Sequence, residues 1–258
     1  MDAFMPFVAT YLLVLTRISA FFVTLPLFSY KAIPPVMRIV FAALLAWMLV
    51  FTLNVPDLEI NGAYMLLVLK EALIGLTIGI IAFIVMAAIQ VAGGLIDFQM
   101  GFAIANVIDP QTGTQSPLMG QFFNSLALLL LLAVNGHHVL LDGVFYSYQF
   151  LPIDQLWPSF GSERVAEHVL KTMAAVFGIS FQMAVPIVAT LFLVDLALGI
   201  TARTVPQLNI FVIGFPIKIG VGFLVLFIMG GVIVAMMQKI FEVMAVSMRD
   251  LMVLLGGG

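Results

Sequence analysis

Residues Ala63–Ala92 read AYMLLVLKEALIGLTIGIIAFIVMAAIQVA, and the only charges in the run are the neighbours Lys70 and Glu71. A helix needs about 20 apolar residues to cross a bilayer, so this run is longer than a crossing requires. It must tilt, kink or project beyond the membrane. Gly75 and Gly79 form a G-x-x-x-G within it, which lets a second helix pack closely; a core of small residues is the favoured reading of that pair. The wider chain agrees with this stretch. Of its 258 residues, 63% are hydrophobic and 9% charged, against about 25% charged in an ordinary soluble domain. The fold class is all-α, an integral membrane helical protein.

Outward from that run, five further stretches meet or approach spanning length: Ala3–Phe28, Val36–Val55, Leu118–Val134, Thr172–Ala202 and Ile210–Met237. Residues 1–29 read as a retained first span, because Asp2 stands where a signal peptide carries basic residues and Arg17 interrupts the apolar run. Pro186 should kink the fifth stretch. Asn135–Lys171 is the longest polar stretch and reads as a solvated loop, with a short helix from about Ser162, which can cap it. After Met237 an amphipathic helix is expected, with Phe241, Met244, Met248 and Met252 on its apolar face. That face suits another subunit better than lipid, since the helix offers only Lys239 and Arg249 to anionic headgroups.

Positive-inside counting places the Lys31/Arg38 turn and the Arg203 turn on one side. Six alternating spans would put them on opposite sides. Either the number of crossings differs from six or some helices pair as hairpins without crossing fully.

The segment Gly93–Pro117, GGLIDFQMGFAIANVIDPQTGTQSP, sits between two long apolar runs and carries no Lys or Arg. Its glycines and prolines argue for irregular backbone. At membrane depth such backbone is tolerated only where protein buries it or it lines a wet cavity. The segment therefore reads either as part of a pathway or as a polar connection in water.

Catalytic and metal chemistry find little support. His137-His138 are adjacent and point in different directions on a regular element, with no H-x-x-H or H-x-x-x-H spacing; His168 lies in the same region. No G-x-S-x-G, H-E-x-x-H or phosphate-loop pattern occurs, and there is no cysteine. Net charge of -3 with scattered acids and bases gives no nucleic-acid footprint. No cofactor is expected, and the chain is not expected to be an enzyme.

The intramembrane charges carry more weight, because each is unfavourable in lipid and usually faces protein or water. They are Arg17, Lys70, Glu71, Asp97, Asp195, Arg203 and Lys218. One reading is a multi-span carrier coupling ions through Glu71, Asp97 and Asp195. The preferred one is assembly, with Asp195 pairing Arg203 two turns on, and Arg17 or Lys70 meeting a partner subunit.

Several motifs fall in one order: Arg17 with the L-P-L-F ending at Phe28; Glu71-x-x-x-Gly75; G-x-x-I-D-x-x-x-G from Gly93 through Asp97 to Gly101; and Asp109-Pro110. Gly136-His137-His138, Asp195-x-x-x-Gly199 and the turn motif R-x-x-P-Q-x-N, with Arg203, Pro206, Gln207 and Asn209, follow. From Arg17 to at least Gly222 the chain resembles the FliR family, flagellar type III export-gate subunits related to the T-type subunit of injectisomes. The resemblance implies long kinked helices in hairpins: a FliP-like part over about residues 1–170, then a FliQ-like hairpin and amphipathic helix over about 171–258. It implies FliP-type, FliQ-type and FlhB-type partners, and contact with lipid and with unfolded exported proteins. It implies a place in the bacterial inner membrane at the flagellar basal body, with much of the complex on the periplasmic side. It also implies a loop that plugs the pore, matched here to about Gly101–Gly120. In that loop, which opens at Gly101, the residues Phe102, Ile104, Val107 and Ile108 would close by apolar contact, Asn106, Gln111 and Gln115 would satisfy polar groups, and Asp109 before Pro110 suits a turn at the base.

Overall fold

The computed structural model describes residues 4–29, 33–53, 61–102, 117–155, 158–207 and 209–257. These form eight helices and no strand among the described residues. They are α1 (Phe4–Thr24), α2 (Pro35–Val50), α3 (Gly62–Met100), α4 (Leu118–Ala133), α5 (Gly136–Phe150), α6 (Glu163–Thr204), α7 (Ile210–Ile228) and α8 (Gly230–Leu255).

Local sequence explains most of the ends. Asn61 caps α3 by accepting from the amides of Ala63 (2.9 Å) and Tyr64 (3.2 Å). Pro35 opens α2 at a position where the missing N–H is not needed. Ser162 caps α6 through the Val165 amide, as its position in the sequence predicts. Asn209 caps α7 through Val212. Asn135, in the left-handed region at φ 57°, separates α4 from α5.

Among the described residues four helices are long and apolar enough to cross a membrane: Pro6–Thr24 within α1, α3, α6 and α8; the pair α4–α5, taken as one span, would make a fifth. The span assignment from sequence thus needs correction in four places. Val36–Val55 becomes a 16-residue helix ending at Val50, too short to cross. Ile210–Met237 is broken at Met229, and its second half belongs to the longer α8. The polar stretch from Asn135 is helical over α5, because Leu140, Val144 and Tyr148 supply a buried stripe at four-residue spacing. Gly93-Gly94 do not end α3, which continues through Asp97 to Met100.

The chain divides into two compact units that interleave along the sequence. The first contains residues 1–86, 134–173 and 242–258. Its core packs α1 against α3 through Leu13, Ile18, Phe21, Ile74 and Ile78, all essentially sealed from solvent. Gly75 is necessary here. A Cβ at that position would run into the Arg17 carbonyl, and at Gly79 it would meet Thr24, so the G-x-x-x-G is the helix-packing surface its spacing suggests. Aromatic contacts of Trp47 with Phe7 (5.7 Å) and Tyr11 (6.0 Å) fasten α2 to α1.

The apolar face of α8 also packs within this unit. Met244, Met248 and Met252 are each 2% exposed, Met248 lies beside Gly143 of α5, and His168 bonds the Ser247 carbonyl at 3.0 Å. The methionine face expected to meet another subunit is therefore largely used inside the chain. Unit two contains residues 87–133 and 174–241. There α6 and α7 keep many large apolar side chains exposed, Phe192, Leu193, Ile200 and Phe227 among them. Such faces need lipid or protein neighbours.

Candidate functional site

The first unit is built around a buried ionic group. Arg17 on α1 meets Glu71 on α3 in a bidentate pair, Nε to Oε2 at 2.5 Å and Nη2 to Oε1 at 3.0 Å. Lys70 places its Nζ 2.8 Å from the same Oε1. Lys70 is 1% exposed and the other two 0%. Adjacent residues on one helix ordinarily face apart, yet Lys70 has a stem long enough to curl back.

Two cations against one carboxylate leave an excess positive charge, and its compensation is visible. Arg17 donates to Ser147 Oγ (2.9 Å) and to the Leu151 carbonyl (2.9 Å), with its guanidinium 3.8 Å from the Tyr148 ring centroid. Lys70 donates to the carbonyls of Pro152 (3.0 Å), Ile153 (2.8 Å) and Gln155 (3.0 Å). All of these acceptors lie at or just past the C-terminal end of α5, where the helix dipole favours positive charge. The cluster thus joins α1, α3 and the exit of α5 in one hydrogen-bonded set.

These pairings correct the expected ones. Arg17 and Lys70 find their acid inside the chain and not on a partner. Asp195 pairs with Lys218 of α7, Oδ1 at 2.9 Å and Oδ2 at 3.0 Å, and accepts from Gln99 at 2.8 Å. Arg203 is exposed on the last turn of α6. The reason is geometric: residues eight apart on a helix stand about 12 Å apart along the axis, whereas a neighbouring helix brings a lysine to contact distance. Ser147, Tyr148 and Gln99 escaped the sequence reading, because their partners are more than 90 residues away and no local pattern marks them.

Asp97 has a separate place. It is 4% exposed on α3, and its carboxylate accepts from the Met119 amide at the start of α4 (2.9 and 3.1 Å). Of the expected plug residues, Gly101 and Phe102 form the turn that leaves α3. Ile104, Asn106, Val107, Ile108, Asp109, Pro110, Gln111 and Gln115 lie outside the described residues. Pro206 and Gln207 form an exposed turn ahead of the Asn209 cap. His137 and His138 lie against each other with ring centroids 4.2 Å apart and planes tilted by 37°, and His168 is engaged by the Ser247 carbonyl.

A carboxylate serving as an ion relay must be reachable and free to change partners. Glu71 is sealed and held by two cations, and Asp97 is held by backbone amides. Asp195 is part-exposed but already carries Lys218. The arrangement suits fixed structure better than exchange.

The family model described as Bacterial export proteins, family 1, matches residues 8–244. The Flagellar biosynthetic protein FliR of Bacillus subtilis (strain 168) is 53% identical over 257 residues, covering 99% of both chains. The protein of the same name from Escherichia coli (strain K12) is 30% identical over 213 residues, 81% of this chain and 79% of its own. Yop proteins translocation protein T of Yersinia pestis is 29% identical over 222 residues, 85% of each. The chain, all helical among its described residues and with several helices long and apolar enough to cross a membrane, belongs to family 1 of the bacterial export proteins.

Proposed function

We propose that this chain is a subunit of the flagellar type III protein export gate. With FliP-type, FliQ-type and FlhB-type partners it forms and closes the pore through which unfolded flagellar proteins pass the inner membrane. The observation that carries this reading is the likeness along the full length to a flagellar biosynthetic protein, 53% over 99% of both chains. The described carboxylates support it over the alternative, an ion-coupled carrier, since Glu71 and Asp195 are held by cations and Asp97 by the Met119 amide. The exposed apolar faces of α6 and α7 supply surface for neighbouring subunits as well as lipid. On this proposal residues 1–170 and 171–258 follow the likeness to FliP-type and FliQ-type subunits, and part of the complex stands on the periplasmic side.

Within the gate, the segment from Gly101 to Gly120 is the closing element. It would rest on many weak apolar contacts that a passing chain can displace. The test is membrane conductance to small ions in cells that express the partner subunits, with residues 106–115 deleted. Leak that appears with the deletion while the complex still assembles supports the proposal. An intact complex that does not leak overturns it and makes the segment a connector. Isolation in detergent tests the wider reading: a gate subunit comes out in a large heteromeric complex, a carrier as a monomer or small homo-oligomer.

A further inference from the structure

One residue, Asp97, holds both ends of the connection between α3 and α4. Its backbone carbonyl accepts from Gly101 N (3.1 Å) and Phe102 N (3.0 Å), the bonds that stop α3. The amide of Phe102 reaching back five residues, with Gly101 at φ +89°, is a helix ending that needs the left-handed region. The side chain of the same residue caps α4 from across the connection, 22 positions from the Met119 amide. Pro117, just ahead of α4, has no polar side chain with which to cap it.

The buried carboxylate has no cationic partner among the described residues. Its negative charge is met by the amides and dipole at the start of α4. The helices also meet directly. A Cβ at Gly93 would fall on the backbone of Gly120, and one at Gly120 would stand 3.2 Å from the Gln90 carbonyl. The G-x-x-I-D-x-x-x-G motif thereby acquires a part-by-part meaning: Gly93 for contact between backbones, Asp97 for the cap, Gly101 for the turn.

We propose that Asp97 is the positioning residue of the α3–α4 connection, fixing where the chain leaves α3 and where it enters α4. Only its effect on leak rests on the gating reading given above. The clamp and the gate are nevertheless separable by experiment.

The chain contains no cysteine, so Phe102→Cys and Leu118→Cys can carry a pair of spin labels without a background. Distances between them are measured by pulsed dipolar spectroscopy in the purified complex, with Asp97 intact, as Asp97→Ala and as Asp97→Asn. Small-ion conductance and the amount of assembled complex are read on the unlabelled variants. The expected result is a narrow distance distribution with Asp97, at least doubled in width by Asp97→Ala, and largely restored by Asp97→Asn, whose amide oxygen can still accept one bond. Leak should rise several-fold in Asp97→Ala and far less in Asp97→Asn, with assembly unchanged. An unchanged distribution in Asp97→Ala overturns the inference, whatever the leak does. A broadened distribution without leak upholds the clamp and refutes the gating reading. Should Asp97→Ala fail to assemble, Met119→Pro decides in its place, because it removes the capped amide within the first turn of α4, where a helix tolerates proline: a distribution at least doubled in width supports the clamp. A distribution in Met119→Pro as narrow as that of the unsubstituted chain overturns the inference.

Discussion

Replacing Glu71 by Gln changes one atom and almost no volume, yet the structure predicts a large loss. Oε2 accepts from Arg17 Nε, while Oε1 accepts from both Arg17 Nη2 and Lys70 Nζ. An amide has one acceptor and one donor, so whichever way it turns, its NH2 faces at least one cationic donor. Two buried cations would then share no anion. Breaking a buried ion pair by removing one partner typically destabilises by about 3–5 kcal/mol. A folded domain has about 5–15 kcal/mol in total, so the variant should approach its folding limit.

The assay is the level of tagged protein in the membrane fraction, together with thermal unfolding of the purified complex in detergent. Glu71→Gln should lower both markedly. Removing a cation in the double variant Glu71→Gln, Lys70→Met should lose less than the two single variants added together, because the residues share one network. Normal levels and unfolding temperature for Glu71→Gln, accompanied by loss of export, would refute the structural role and favour an ion-coupling carboxylate. Strict additivity in the double variant would refute the network.

Other perturbations give smaller or contrasting outcomes. Gly75→Val should separate α1 from α3 and shift Arg17, with a loss of about 1–3 kcal/mol or more from overpacking, read as reduced accumulation. Lys218→Met leaves Asp195 with Gln99 alone and should weaken the second unit more than Arg203→Met, measured as relative membrane levels of the two variants. Lys171→Gln, which removes an ion pair with Glu167 exposed on α6, should leave accumulation and motility unchanged.

The apolar runs made the helical membrane fold legible, because length and hydropathy report directly on what lipid demands of a backbone. The G-x-x-x-G at Gly75 was legible for a similar reason: small size at that spacing has one common structural use. Helix breaks were harder. Gly93-Gly94 look like a loop in isolation, but their helical conformation is held by packing against Gly120, a residue from another helix. Asn135–Lys171 looked solvated because its polar side chains are many, while the buried stripe of Leu140, Val144 and Tyr148 is sparse. The charged residues stand out in an apolar sequence, but their partners depend on which helices adjoin. Arg17 finds Glu71 across 54 residues, and no spacing rule reaches that far.

The break at Asn135 bears on how many times the chain crosses a membrane. By length and composition, Pro6–Thr24 within α1, α3, α6 and α8 are candidate spans among the described residues, and α4 with α5 adds a fifth only where the two helices act as one span. If that pair does not cross, the stretch after α1, near Arg38, and the turn after α6, with Arg203, fall on one side, and the conflict created by six alternating spans disappears. If it does cross, the conflict stays, so labelling those two turns from either side of the membrane counts the crossings.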